Sequence, residues 1–528
     1  MNQGTTVIVA AGLGGFCFVF VASCGTAAED CDLGLTCPAY ARASNGDAGP
    51  PRPECAVPPS ATGGVVDPSC GVFAAPGAAG GDGSESAPLG SLQAAIDVAA
   101  AAGKPVYACA GAFTEAIRVP SGLTIFGGLD CQKGWTWSAG KRTTVSAPAV
   151  ATAPGQSEVG ARLLAGKRQT LLEDLDIVAP DAALAGVSSI ALLVEDTRAE
   201  IRRASIAAGD GGEGAPGVGL GDDPALAGLA GEAGYAICGA TSVNPGPAGP
   251  VKSCGAEISR GGKGGDGGPP TGGDGGEGED GLPKHPGSPP GGLGGDGQST
   301  VACQPGIQGT AGADGEPGAG ALGKGTLTVE GYRGVPGQDG HPGAPGQGGG
   351  GGGGSRGKTQ VACLGQATLD RAGATGGSGG SGGCGGAGGA GGMAGGSSLA
   401  VQSLSKQAVV LTEVALRVGR GGRGGDGAAG QNGGNAGFGA SGGQGAGGAP
   451  HGCHGGDGGL GGAGGPGGGG AGGHAIAITY RGVPPKGSVA VSHSAGAPSP
   501  GEGGAGGVNG AVSAGPGVPG LAGELVEL

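Results

Sequence analysis

A mainly β, repetitive fold with glycine-rich insertions is what this sequence predicts, and three observations predict it. The 141 Gly and 38 Pro make up about a third of the 528 residues, whereas only 7 Phe, 5 Tyr and 2 Trp are aromatic. Gly buries no side-chain surface and costs the most backbone entropy, so an ordinary enzyme core cannot extend over this length. Short β-rich runs, bounded by Gly or Pro, recur in two separate parts of the chain. Between them Gly recurs with a period of three.

The elements follow in order. Gly71-Val72-Phe73-Ala74 reads as a strand, followed by a Gly81-Asp82-Gly83 loop. Apolar residues at 89, 92, 95, 96 and 99 have helical spacing, and Gly103 ends that helix. Strand-like runs start at Val106, Ala116, Leu123, Leu171, Ile190 and Ala199. Such spacing fits a sandwich or a solenoid. The same pattern returns at Ser398, Ala408, Val414, His474 and Ser488. After Ile206, Val418 and Val491 it runs straight into a Gly-rich tract, as successive coils of one solenoid would if their turns carried insertions.

From Gly373 to Gly395 the unit is Gly-Gly-x with small x (Ser378, Ser381, Cys384, Ala387, Ala390). Third-position Gly also holds from Gly421 to Gly448, broken only at Ala436, and from Gly452 to Gly473. Gly331 to Gly349 is G-X-Y with Pro336, Pro342 and Pro345, a collagen-like repeat. A period of three matches the polyproline-II helix at about 3.1 Å per residue. Two bare faces per turn would let such helices bond to one another as in polyglycine II. Free coil is the alternative, because Gly-rich chains are flexible unless pinned.

The order strand, Gly-Asp-Gly loop, Ala87-Pro88-Leu89 to Ile96 helix, Val106-Tyr107, Gly111-Ala112-Phe113-Thr114-Glu115 and Leu123-Thr124-Ile125-Phe126-Gly127-Gly128 resembles the opening of a pectin-lyase-like protein of the DUF1565 type. The resemblance covers about residues 70–130 and extends loosely to 206. It implies a right-handed parallel β-helix whose N-terminal helix caps the open end. Lyases of this fold use acidic Ca²⁺ ligands beside a basic residue on neighbouring coils. Glu173, Asp174, Asp176, Arg202 and Arg203 are the charges here that could share a face, but no catalytic motif of the family is present.

Val7 to Ala22 is an uncharged apolar run suited to a signal peptide. Val21-Ala22-Ser23-Cys24 resembles a bacterial lipobox, which implies cleavage at Cys24 and its lipidation, although the residues before the run include no Lys or Arg. An ordinary signal peptide cut nearby is the alternative. Twelve further cysteines are disulfide candidates for an oxidising compartment: Cys31, Cys37, Cys55, Cys70, Cys109, Cys131, Cys238, Cys254, Cys303, Cys363, Cys384 and Cys453. Sequence proximity suggests Cys109 with Cys131 and Cys238 with Cys254.

The chain therefore divides into a signal peptide (1–24), a Pro/Ala/Cys-rich tether (25–68), a cap with first coils (69–206), glycine-rich insertions with intervening strands (207–396) and further coils with insertions (397–528). The net charge of −14 and the scarcity of aromatic residues exclude nucleic acid as a partner. His451-Gly452-Cys453-His454 and the Gly275–Pro283 match to a calcium-binding repeat are each too isolated to make a metal site. Trp135 and Trp137, near Lys133, Lys141 and Arg142, are carbohydrate-stacking candidates. The expectation is an exported cell-envelope lipoprotein at the outer membrane or cell surface, structural or adhesive, with neither catalysis nor cofactor. Its partners would be the membrane, through the lipid anchor, and surface polysaccharide or matrix. A carbohydrate-active β-helix protein, either polysaccharide lyase or polysaccharide-binding, and a binder of a regular surface such as ice are the alternatives.

Overall fold

The N-terminal helix forms where the apolar spacing placed it. It spans Leu92–Ala102 in a computed structural model that describes residues 55, 57–150, 153–239, 242–284 and 290–528. The Ser91 hydroxyl accepts the Ala94 N–H at 3.1 Å, and Gly103 ends the helix in the left-handed region with φ 63°. The Glu115 carboxylate accepts the Leu92 N–H at 2.6 Å and the Ser91 hydroxyl at 2.8 Å, so the acid after Phe113 is a second cap. Leu92, Ala95, Ile96 and Ala99 face the core.

The rest is mainly β, dominated by a 12-stranded and a 6-stranded sheet whose core pairings are parallel. Successive stretches visit them in a fixed order. The chain passes through Thr124–Asp130 and Thr143–Ser146 of the large sheet, then Ser157–Leu163 of the small one. It repeats this with Gln169–Glu173, Leu175–Val178 and Ser188–Val194, and again with Arg198–Arg202, Ser205–Ala207 and Ser398–Ser403. Two further rungs use Val409–Val418 with Ala475–Tyr480, and Lys486–His493 with Ala522–Glu527.

In-register pairing stacks like on like. Val106, Ile125, Leu172, Ile201 and Leu411 form one buried column. Phe113, Val145, Ile177, Ile206 and Leu416 form a second, and Ile117, Ala161, Leu192, Val401 and Ile478 a third. Each fully buried Leu or Ile stabilises the stack by about 1.5–3 kcal/mol. The two runs expected at Ala408 and Val414 are one bent strand, with Glu413 at φ 56°. Asp174 (φ 59°) and Arg203 (φ 46°) occupy the same corner in the rungs beside it.

Three glycine-rich insertions leave the same turn of successive rungs, over 208–397, 419–474 and 494–521. Hydrogen bonds join their extended runs into one bundle. Gly377, Gly380, Gly383, Gly386, Gly389 and Gly392 donate to the carbonyls of Cys453, Gly456, Gly459, Gly462, Gly465 and Gly468. Between them, Ser378, Ser381 and Cys384 donate to Glu232, Leu229 and Leu226 on another run. The three-residue repeat in sequence is thus a three-residue repeat of bonding direction.

The number of Gly per triplet follows the number of neighbours. The G-X-Y stretch 337–346 bonds to three runs: 383–392, 313–319 and 462–468. It is no collagen strand, because those neighbours belong to the same chain, and Gly331–Arg333 at its start is a strand of a hairpin. The Gly-Gly-x run from Gly373 has five neighbouring runs, and its Thr375, Ser378 and Ser381 hydroxyls each accept a backbone N–H at 2.7 Å, from Tyr235, Glu232 and Leu229. Gly348 to Gly354, with no side chain at all, bonds to six runs. A Cβ on Gly351 would overlap the Lys263 carbonyl, so glycine is required there by close approach.

Among the described residues, four two-stranded hairpins lie within the insertions, three of them in the stretch 207–396 where intervening strands were expected: Val251–Cys254 with Glu257–Arg260, Thr326–Thr328 with Gly331–Arg333, Lys358–Val361 with Leu369–Arg371, and Val508–Asn509 with Val512–Ser513. His474 ties the second insertion to its surroundings. Its Nδ1 accepts the Leu521 N–H at 2.8 Å and its Nε2 lies 2.8 Å from the Lys324 carbonyl.

Candidate functional site

Among the described residues, five disulfides bind ten of the candidate cysteines. Cys109 pairs with Cys131, as proximity suggested. The expected Cys238–Cys254 pair is wrong. Cys238 bonds to Cys363 and Cys254 to Cys384, across 125 and 130 residues, because the bundle brings distant runs side by side. Cys303–Cys453 and Cys55–Cys70 complete the set. Cys24, Cys31 and Cys37 lie outside the described residues. The described part of the expected tether packs on the first rungs: Cys55 and Val66 are buried in a cluster with Phe73, Tyr107, Phe126 and Trp135.

That cluster corrects the reading of the tryptophans. Trp135 is 3% exposed and meets Phe73 edge-on at 4.8 Å, so no ring face is open to a sugar. Trp137 donates its Nε1–H to Asp174 at 2.7 Å and lies under the Arg203 guanidinium, 5.5 Å from the ring centroid.

The charges singled out in the coils do converge, as an ion-pair network at the stacked corner. Arg203 bonds to both Asp174 and Glu173, Arg142 reaches Asp174 at 2.8 Å, and the Ser60 hydroxyl donates to Glu173 at 2.9 Å. The hydrogen bond to Asp174, with further help from Glu173, raises the Arg203 pKa and holds the guanidinium charged. Burial raises the Asp176 pKa, partly opposed by Arg142. Glu173 and Asp174 are almost wholly buried and already paired with cations, whereas Asp176 is half-buried.

The metal-like motifs are also spent. Cys453 is oxidised and His451 Nδ1 accepts the Gly445 N–H at 3.1 Å. Asp280 of the calcium-like repeat accepts the Gly294 N–H and pairs with Lys284, and those hydrogen bonds lower its pKa. Among the described residues no group of three His, Cys, Asp or Glu side chains could hold a metal.

Two features remain open. A cleft of about 500 Å³ lies where the hairpin at 326–333 meets the small sheet, lined by Gln156, Ser157, Glu330, Tyr332, Arg333 and Met393. The Thr328 hydroxyl is the main cause of the lowered Glu330 pKa. The second feature is the outer face of the bundle. Runs 304–318, 451–468 and 429–444 lie side by side: Gly306, Gly309, Gly312 and Gly315 donate to His454, Asp457, Leu460 and Ala463, while Gly455, Gly458 and Gly461 donate to Ala440, Gly437 and Gly434. In all three runs glycines meet neighbouring backbone; Asn435, Phe438, Asp457 and Leu460 stand outward, Phe438 74% and Leu460 55% exposed, whereas Gln431 and Pro466 are buried. Exposed Phe438 carried no motif to mark it; its place in the x positions of a period-three run was the signal available. Among the described residues no helix is long and apolar enough to cross a membrane. No family model, curated protein or solved structure matches this chain.

Proposed function

We propose that the protein is an exported cell-envelope lipoprotein with a structural or adhesive role: a right-handed parallel β-helix that carries a polyglycine-II-like bundle. The observation that supports this best is the common origin of the insertions. Three of them leave one turn of successive rungs and bond into a single body pinned by Cys238–Cys363, Cys254–Cys384 and Cys303–Cys453. Backbone bonding at this density makes a stiff surface that needs little side-chain packing, which suits display outside the cell. Disulfides that close loops of 125 to 150 residues suit an oxidising compartment. The lipid anchor rests on Cys24 and the apolar run before it. Changing Cys24 to Ala should release the protein from membranes; unaltered membrane retention contradicts the anchor.

A carbohydrate-active protein is the second reading, favoured by the cleft with Glu330 and Arg333. Incubation of the purified chain with polyuronates and Ca²⁺ tests its enzymatic form. Unsaturated product would support it, and its absence would leave at most binding.

A further inference from the structure

We infer that the outer layer of the bundle formed by runs 304–318, 451–468 and 429–444 binds an extended, uncharged polysaccharide. This rests on the adhesive reading and names its ligand class. The layer is broad because three runs lie side by side. It is stiff because a second layer bonds to it from beneath: Gly380, Gly383 and Gly386 donate to Gly456, Gly459 and Gly462, and these three donate to Gly350, Gln347 and Ala344. Cys303–Cys453 locks two of the three surface runs together at one end.

Outward side chains on one run repeat every third residue, about 9 Å apart in an extended helix of this kind. The hydrogen-bond register sets Phe438 beside Asp457, and Asn435 beside Leu460. An exposed aromatic ring and an exposed leucine are thereby next to amides at Asn435 and Gln308 and the hydroxyl of Ser441, while the Asn432 amide is held by Asp222 at 2.9 Å. A sugar ring offers the matching surfaces, an apolar C–H face for the phenyl ring and hydroxyls for the amides.

Charge narrows the ligand further. The protein carries a net −14, and this layer holds three carboxylates, of which Asp457 and Asp314 are engaged while Glu316 is exposed. Asp457 accepts the Gly439 N–H and Asp314 the Ala463 N–H, both at 2.8 Å. No Lys or Arg lies within 304–318, 451–468 or 429–444. A polyuronate would be repelled by the protein as a whole and would find no cation here. A neutral chain meets neither obstacle.

The test uses the purified, oxidised full chain mixed with insoluble chitin, insoluble cellulose or polygalacturonate gel, with depletion from the supernatant as the readout. Retention on at least one neutral glycan is expected, weakened about tenfold by Phe438→Ala and less by Leu460→Ala. Tyr235→Ala removes another exposed ring, outside these three runs, and should change nothing. Both Phe438 and Leu460 are exposed, so the variants should fold, and an unchanged circular-dichroism melt checks that. No retention on either neutral glycan, equal retention of Phe438→Ala, an equal loss with Tyr235→Ala, or salt-sensitive retention on polygalacturonate alone would each overturn the inference. Protease accessibility on intact cells separates it from the reading beneath. A displayed chain that ignores both glycans sinks only the binding face, whereas a chain that is not displayed sinks the adhesive role.

Discussion

In the strand rungs the hydrogen-bonded backbone carries side chains that alternate between core and outside; in the glycine-rich bundle most hydrogen-bonded residues carry none. The rungs gain stability from stacked columns such as Val106–Ile125–Leu172–Ile201–Leu411, where burial of apolar surface offsets the entropy of ordering. The bundle excludes water by bringing backbones so close that a methyl group does not fit, and its enclosed Gly348 to Gly354 run is satisfied on all sides by other backbones. Gly is the costliest residue to order. A bundle made of it therefore needs the rungs to set its register and disulfides to limit its unfolded state. The difference teaches that the same hydrogen bond can be supported by large side chains or by their complete absence.

The contrast can be broken most strongly at the centre of the bundle. Gly351→Val puts a branched side chain against the Lys263 carbonyl with neighbours on every side. It should cost more than about 4 kcal/mol in chemical denaturation, whereas Ala313→Val on an outer run should stay within about 0.5 kcal/mol. Equal effects would mean the runs are not closely packed. Leu172→Ala should destabilise the rungs by about 2–5 kcal/mol through an unfilled cavity. Cys254→Ala with Cys384→Ala should cost about 2–5 kcal/mol and lower exchange protection around 226–235 and 378–390 while leaving the rungs unaltered.

Acid should loosen the junction at His474 before it touches the stacked columns. Burial is the main cause of its lowered pKa, and Nδ1 already accepts a backbone N–H, so a second proton has no acceptor. The unfolded chain takes up that proton first. Stability is therefore full above the ordinary value of 6.5 and falls as pH drops below it towards the folded-state value. A denaturation midpoint flat between pH 7 and 5 would contradict this. The smallest effect concerns Glu158, whose pKa burial raises and whose Oε2 has no hydrogen-bond partner among the described residues. A carboxylate raised in this way stabilises the fold when protonated and loses that contribution as pH rises. Glu158→Gln should thus give a slight gain at pH 7 that vanishes below about pH 4.

Local features were legible in the sequence. The Leu92–Ala102 helix and its Gly103 stop depend on neighbours within a few residues, and the insertion points after Ile206, Val418 and Val491 showed because the strand pattern before each one repeats. The partners of Cys238 and Cys254 were not legible, because the Gly pattern tells how many faces of a run are covered and not by which runs. The fates of Trp135, Trp137 and Asp174 were hidden for a related reason. The corner that gathers them is built from 55–70 and three separate rungs, and pairing over such distances leaves no trace in local spacing.

Amide hydrogen exchange read by mass spectrometry on the oxidised chain tests the central claim most directly, with peptides from 373–396 and 452–473 compared with the Ser188–Val194 strand. Slow exchange in both glycine-rich runs, approaching that of the strand, is the predicted result, since their N–H groups point at carbonyls of neighbouring runs. Exchange at the rate of an unprotected chain, with the strand still protected, would contradict the bundle and leave the insertions as flexible spacers.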